Sequence, residues 1–179
     1  MFANYIHPPL YFLLVHFWMK LPFGMDPVVQ LRIPSAIYGL GAAIVADRFW
    51  ARHWTHRPRI CFLLFWVFSP CLVLYSRMAR SYSLQMLVTL AAARQLAALV
   101  ETPRRGTLWL YSAALALVLY THYIPGVALA ITDSVLLAAR RRWRDALVSG
   151  ALAPVLYLPW PSVLGASLRK CRSTRAGIS

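Results

Sequence analysis

From Thr107 to Ala139 the chain runs about 33 residues without a Lys, Arg or Glu. As one helix at 1.5 Å per residue this stretch would reach roughly 50 Å, well beyond the ~30 Å hydrocarbon core of a bilayer. It therefore has to fold back on itself. Thr121-His122-Tyr123-Ile124-Pro125-Gly126 supplies the turn, because Pro and Gly both interrupt helical runs. The stretch reads as two apolar helices, 107–121 and 124–139. Asp133 lies inside the second, where a carboxylate at membrane depth costs a few kcal/mol and turns toward protein or water.

The same alternation of apolar run and polar gap recurs along the chain. Runs at 28–46, 60–75, 81–100 and 146–165 bring the expected spans to about six. Pro8-Pro9 opens a shorter run through Leu21, since proline at the first helical positions gives up no intrahelical donor. At about 13 residues this run is short for a span and suits a helix lying at the interface, over 8–21. The fold expected is all-α, a single polytopic membrane domain over 1–165 followed by a basic tail at 166–179. Composition points the same way, with 60% hydrophobic and 13% charged residues, against about 25% charged in soluble domains.

The polar complement is mostly basic, 19 Lys and Arg against 5 Asp and Glu, for a net charge of +14. An excess of this kind fits nucleic acid or anionic lipid. The position of the cations argues against nucleic acid, because they fall in short gaps between apolar runs and not on one folded surface. The gaps after Ala46, Val100 and Ala139 hold ten of them, whereas the intervening gaps hold only Arg77 and Arg80. The positive-inside rule makes the first set cytoplasmic. Arg169, Lys170, Arg172 and Arg175 in the tail conflict with that rule, so either the last span does not fully cross or the chain ends abnormally. Trp18, Trp50, Trp54, Trp109, Trp143 and Trp160 flank the runs as interfacial anchors. Cys61, Cys71 and Cys171 lack the paired spacing of a metal or disulfide framework. No cofactor is evident, and the need for a divalent metal is left open. Met1 to His7 shows no basic region with a small-residue cleavage site, so no signal peptide is expected.

In this topology the noncytoplasmic face collects Asn4 to His7, Asp26, Arg32, Ser76 to Tyr82, and Thr121 to Tyr123. Arg80 stands just before a run, where its charge and a positive helix amino terminus would act on the same phosphate.

Four strings lie in order: His7-Pro8-Pro9-Leu10-Tyr11-Phe12-Leu13-Leu14; Leu31-Arg32-Ile33-Pro34-Ser35-Ala36 with Gly39; Ser69-Pro70 followed by Tyr75-Ser76 and Ala79-Arg80-Ser81-Tyr82; and Leu119-Tyr120-Thr121-His122-Tyr123. Together they resemble bacterial polyprenyl-phosphate-sugar glycosyltransferases of the type C membrane fold, related to protein O-mannosyltransferases and lipid A aminoarabinose transferase. The resemblance covers roughly Asn4 to Pro161. It implies an enzyme of the bacterial inner membrane that moves a sugar from a polyprenyl-phosphate donor to an extracytoplasmic acceptor. It further implies that His7 and Arg80 face the donor phosphate, and that Tyr82, His122 and Tyr123 line the site.

This chain departs from the pattern at two places. Relatives often read Ser-Gln-Glu-Ala-Arg where Ser76-Arg77-Met78-Ala79-Arg80 stands, which puts any acceptor or metal contact from this segment in doubt. Relatives also carry a membrane helix and a loop with the catalytic Asp ahead of the His-Pro-Pro string. Only Met1 to Ile6 precede His7, none of them acidic. An amino-terminally truncated enzyme with little activity alone is therefore expected, with Asp26 the weak remaining candidate for the base.

Other readings stay open beside this one. The chain fits a noncatalytic membrane scaffold or assembly subunit. It also fits a small transporter whose substrate elements are Asp133 and the 121–126 hairpin. At the level of single residues, His7 can be an interfacial polar group, Arg77 and Arg80 can snorkel to headgroups, Arg32 can pair with Asp26, and His122 can be a satisfied turn residue.

Overall fold

A computed structural model describes residues 10–158, and every regular element among them is helical. The first two helices, α1 (Leu10–Met19) and α2 (Pro27–Phe49), meet at a corner built by a few residues. Gly24 reverses the chain at φ 65°, a conformation that a residue without Cβ adopts at no steric cost. Asp26 then caps α2, its Oδ1 accepting from the N–H groups of Val28 and Val29 at 2.7 and 3.2 Å. Both donors would otherwise be left open at the helix start.

Pro34 sits inside α2 and has no N–H to give to the carbonyl four residues back. That carbonyl belongs to Gln30, and it accepts from the Trp18 indole at 2.8 Å. The Gln30 amide returns two bonds, to the carbonyls of Trp18 and Leu21 at 3.2 and 3.0 Å. A proline that would break a helix is thus compensated by a tryptophan from the helix before it, and the exchange fixes α1 against α2.

A polar loop with a 3₁₀ turn at Ala51–His53 leads to α3 (His56–Phe68) and α4 (Pro70–Arg77). The apolar run 60–75, expected as one span, is divided between these two helices. Pro70 disfavours the helical region for the residue before it, and Ser69 accordingly lies at φ −61°, ψ 120°. The remaining helices are α5 (Tyr82–Glu101), α6 (Arg105–Thr121), α7 (Tyr123–Ala139) and α8 (Trp143–Tyr157). The 107–139 stretch is likewise divided, with α6 giving way to α7 at His122.

Among the described residues two helices, α2 and α5, are long and apolar enough to cross a membrane. That is fewer than the six spans expected. The shortfall has a physical cause in the breaks: α3 and α4 have 13 and 8 residues once Pro70 separates them, and α6 and α7 have 17 each. Seventeen residues of helix cover roughly 25 Å.

The core lies among the last four helices, where Leu96 and Leu99 of α5 pack with Tyr111, Leu115 and Leu119 of α6, Leu137 of α7, and Ala146 and Ala153 of α8. By contrast α3 buries no side chain, and Phe65 and Phe68 are 80% and 74% exposed. An exterior this apolar on a helix calls for a nonaqueous neighbour.

The α7–α8 turn carries one residue in an unfavourable conformation. Arg142 N–H bonds to the Leu137 carbonyl and Arg141 N–H to the Ala138 carbonyl, both at 2.8 Å, the pattern of a Schellman cap. Arg141 occupies the left-handed position at φ 59°, where glycine is usual. Arg141→Gly is therefore expected to stabilise the fold by about 0.5–1 kcal/mol, the left-handed penalty less the extra freedom of glycine in the unfolded chain. Thermal unfolding in detergent checks this, and a melting temperature at or below that of the wild type would refute it.

Candidate functional site

Three of the four strings singled out in the sequence come together at one corner of the bundle. Tyr11 on α1 is buried, and its hydroxyl lies 3.3 Å from the Ser35 hydroxyl on α2. The Ser35 hydroxyl reaches the Arg80 carbonyl at 3.5 Å. The first, second and third strings, 24 and 45 residues apart at these contacts, are thereby joined through fully buried Ser35. Helix α1 also packs against α6, the helix that runs into the fourth string.

Arg80 itself is held by its backbone. Its N–H bonds to the Met78 carbonyl at 2.8 Å, and the residue stands two positions before Tyr82, where α5 begins. The side chain is exposed, and among the described residues no carboxylate pairs with it. This places an exposed cation beside the amino terminus of a 20-residue helix, whose open N–H groups carry partial positive charge. The segment is braced from below, since the Ser83 hydroxyl donates to the Tyr75 carbonyl at 3.0 Å and the rings of Tyr75 and Tyr82 lie 4.9 Å apart. Tyr82 is 38% exposed. Its ring is partly committed to Tyr75.

The other expected residues are placed less closely. His7 lies outside the described residues. His122 is half-buried between α6 and α7, with its N–H on the Val118 carbonyl at 2.9 Å and its ring stacked 5.7 Å from that of Tyr123. Tyr123 opens α7 and is exposed. Asp26 is engaged as the cap of α2, and among the described residues no ion pair joins it to Arg32. No group of three His, Cys, Asp or Glu side chains suited to a metal is found among the described residues.

Family models, curated proteins and solved structures offer no match to this chain. Its chemistry has to be read from the residues themselves.

Two features of this corner were not singled out in the sequence. Tyr11 and Ser35 sit inside the strings, but only their contact shows that they tie the strings together. A signal for Ser35 did exist: a small hydroxyl directly after a proline in an otherwise apolar helix needs a partner. A second buried polar pair lies elsewhere, between α6 and α7, where the Tyr111 hydroxyl donates to Asp133 Oδ2 at 2.7 Å. The sequence marked Asp133 as unusual without indicating its partner.

Proposed function

We propose that the chain is a multi-pass membrane glycosyltransferase that takes a sugar from a polyprenyl-phosphate donor to an acceptor on the extracytoplasmic side of the bacterial inner membrane. The observation that carries this reading is the meeting of Tyr11, Ser35 and Arg80, which brings three sequence-distant strings to one corner and leaves the Arg80 cation exposed there. In the reaction an acceptor oxygen bonds to the anomeric carbon while the carbon–oxygen bond to phosphate breaks. The electron pair leaves with the polyprenyl phosphate. Arg80 and the start of α5 stabilise the charge that grows on that phosphate, a contribution that is usually the largest single one. His7, ahead of the paired prolines, is the second cation of this reading.

The residue that accepts the acceptor's proton is left unassigned. Asp26 is the candidate on the same side, and its Oδ1 is occupied by two backbone N–H groups. Asp133 has no substrate role in this reading, because it is 4% exposed and already bonded to Tyr111.

Arg80→Ala is expected to weaken binding of a polyprenyl phosphate by roughly tenfold or more, the scale of one charge-assisted hydrogen bond. Arg77→Ala should change it less than about threefold, because Arg77 lies on the last turn of α4, before the corner. Both side chains are exposed, so neither change threatens the fold. Titration of the purified chain in nanodiscs with a polyprenyl phosphate decides the matter. Equal effects of the two substitutions would mean that both arginines simply reach lipid headgroups.

A further inference from the structure

The opposite end of the bundle carries a second concentration of charge that the proposed reaction does not use. Three basic segments meet there. The stretch 47–59 runs from the last turn of α2 through the 3₁₀ turn into the first turn of α3, the link after α5 holds Arg104 and Arg105, and the 140–144 stretch joins α7 to α8. Contacts at the last two turns of α5 hold them side by side. Arg94 of α5 lies over the Phe49 ring at the end of α2, 4.9 Å from its centroid. The Arg142 guanidinium reaches across to the Leu99 carbonyl near the end of α5.

The carboxylates at this end are nearly all spoken for. Asp47 takes a two-pronged bond from Arg59, at 2.6 and 2.5 Å. Asp145 is held by Arg142 at 2.7 Å. Among the described residues this leaves Glu101 as the remaining carboxylate here. Against this one carboxylate stand the exposed residues Arg48, Arg52 and Arg57 of the 47–59 stretch, Arg104 and Arg105 of the link, and three more in the 140–144 stretch. The Asp47–Arg59 bridge spans 12 residues, so it closes the loop that presents the first three.

Such a surface needs anions, and its surroundings say which kind. Trp50, Trp54, Trp109 and Trp143 are interleaved with these arginines and are 37%, 47%, 61% and 63% exposed. Indole rings favour the boundary between hydrocarbon and headgroups, and these four stand at or within about a turn of the ends of apolar helices, where that boundary falls. Helix α3, which leads away from this end, turns Phe65 and Phe68 outward along its second half. We infer that this end of the bundle binds anionic phospholipid headgroups of the leaflet it faces. The inference rests on placement in a membrane and is independent of the glycosyl-transfer chemistry at the other end.

The test uses the full chain, purified and delipidated in detergent, titrated with phosphatidylglycerol or phosphatidylcholine of the same acyl chains and read by native mass spectrometry. Phosphatidylglycerol should bind at least about tenfold more tightly at low salt, and the preference should shrink as salt screens the charges. Removing the loop cations one at a time, as Arg48→Gln, Arg52→Gln and Arg57→Gln, should lower phosphatidylglycerol affinity by up to roughly fivefold each. Phosphatidylcholine binding should not move. The Arg32→Gln/Arg77→Gln double variant, which removes two cations from the opposite end, should change the preference less than twofold. Equal binding of the two lipids by the wild type would overturn the inference, as would loop variants that keep the full preference. Displacement of phosphatidylglycerol by single-stranded RNA at matched charge would assign the surface to nucleic acid instead.

Discussion

Tyr111→Phe is expected to cost about 2–3 kcal/mol of stability, although it removes a single oxygen atom. The Tyr111 hydroxyl donates to Asp133 Oδ2 at 2.7 Å, and the two residues are 1% and 4% exposed. Phenylalanine fills the same volume, so no cavity term enters. What remains is a buried carboxyl with its one observed partner removed, and a stranded polar group of this kind costs about 1–3 kcal/mol, more if it is charged. In a chain of this size the loss should appear as a fall in melting temperature of roughly 5–10 °C. Combining it with Asp133→Leu gives a sharper check, because removing both partners is close to neutral where removing one is not. The double variant should be more stable than Tyr111→Phe alone. A Tyr111→Phe protein that melts within about 1 °C of the wild type would show that Asp133 is satisfied in another way.

The second large effect is expected at Gly126. This residue is buried in the first turn of α7, and a Cβ placed on it would stand 2.7 Å from Leu119 Cδ2 and 3.1 Å from the Leu119 Cα. The first contact could be relieved by turning the leucine side chain. The second involves backbone and cannot be relieved unless α6 and α7 move apart. Gly126→Ala should therefore cost about 2 kcal/mol, within the range for forcing a methyl into a packed interior. Pairing it with Leu119→Ala distinguishes the two contacts. If the side chain alone were the obstacle, the two changes would compensate each other, whereas a backbone clash leaves most of the penalty in place. Thermal melts of the two single variants and the double variant supply the cycle, and full recovery in the double variant would refute the backbone explanation.

Both effects belong to the α6–α7 hairpin, which the sequence indicated only in part. A stretch from Thr107 to Ala139 without Lys, Arg or Glu had to turn back, and the 121–126 segment located the break, although it falls at His122 with Pro125 and Gly126 already inside α7. The close approach that makes Gly126 irreplaceable was not legible, because it depends on which face of α6 meets α7. Asp133 stood out as a lone carboxylate in an apolar run, but nothing in its spacing selected Tyr111, 22 residues earlier. Periodicity places a residue on a face, and pairing across helices is decided by packing.

The same limit applies at the candidate site. The order of the four strings could be read from the sequence, and so could the expectation that Arg80 precedes a helix. The tie from Tyr11 through Ser35 to the Arg80 carbonyl could not, since it needs three helices docked. Run length misled where hydrophobicity was continuous but the backbone was not. Residues 60–75 are apolar enough to suggest one span, yet Pro70 sets Ser69 in an extended conformation and splits them. A hydropathy pattern averages over such a residue.

The bond from Arg142 to the Leu99 carbonyl bears on the order in which the chain can assemble. The two groups are 43 residues apart, and Arg142 emerges only after α6 and α7 have been made. Until then the Leu99 carbonyl lacks this donor and must rely on water or headgroups, whereas the Ala98 carbonyl already accepts from Thr102. A growing chain would thus hold α5 unfinished through the synthesis of two further helices. The carboxyl end of α5 is thus completed by the segment that leads into α8.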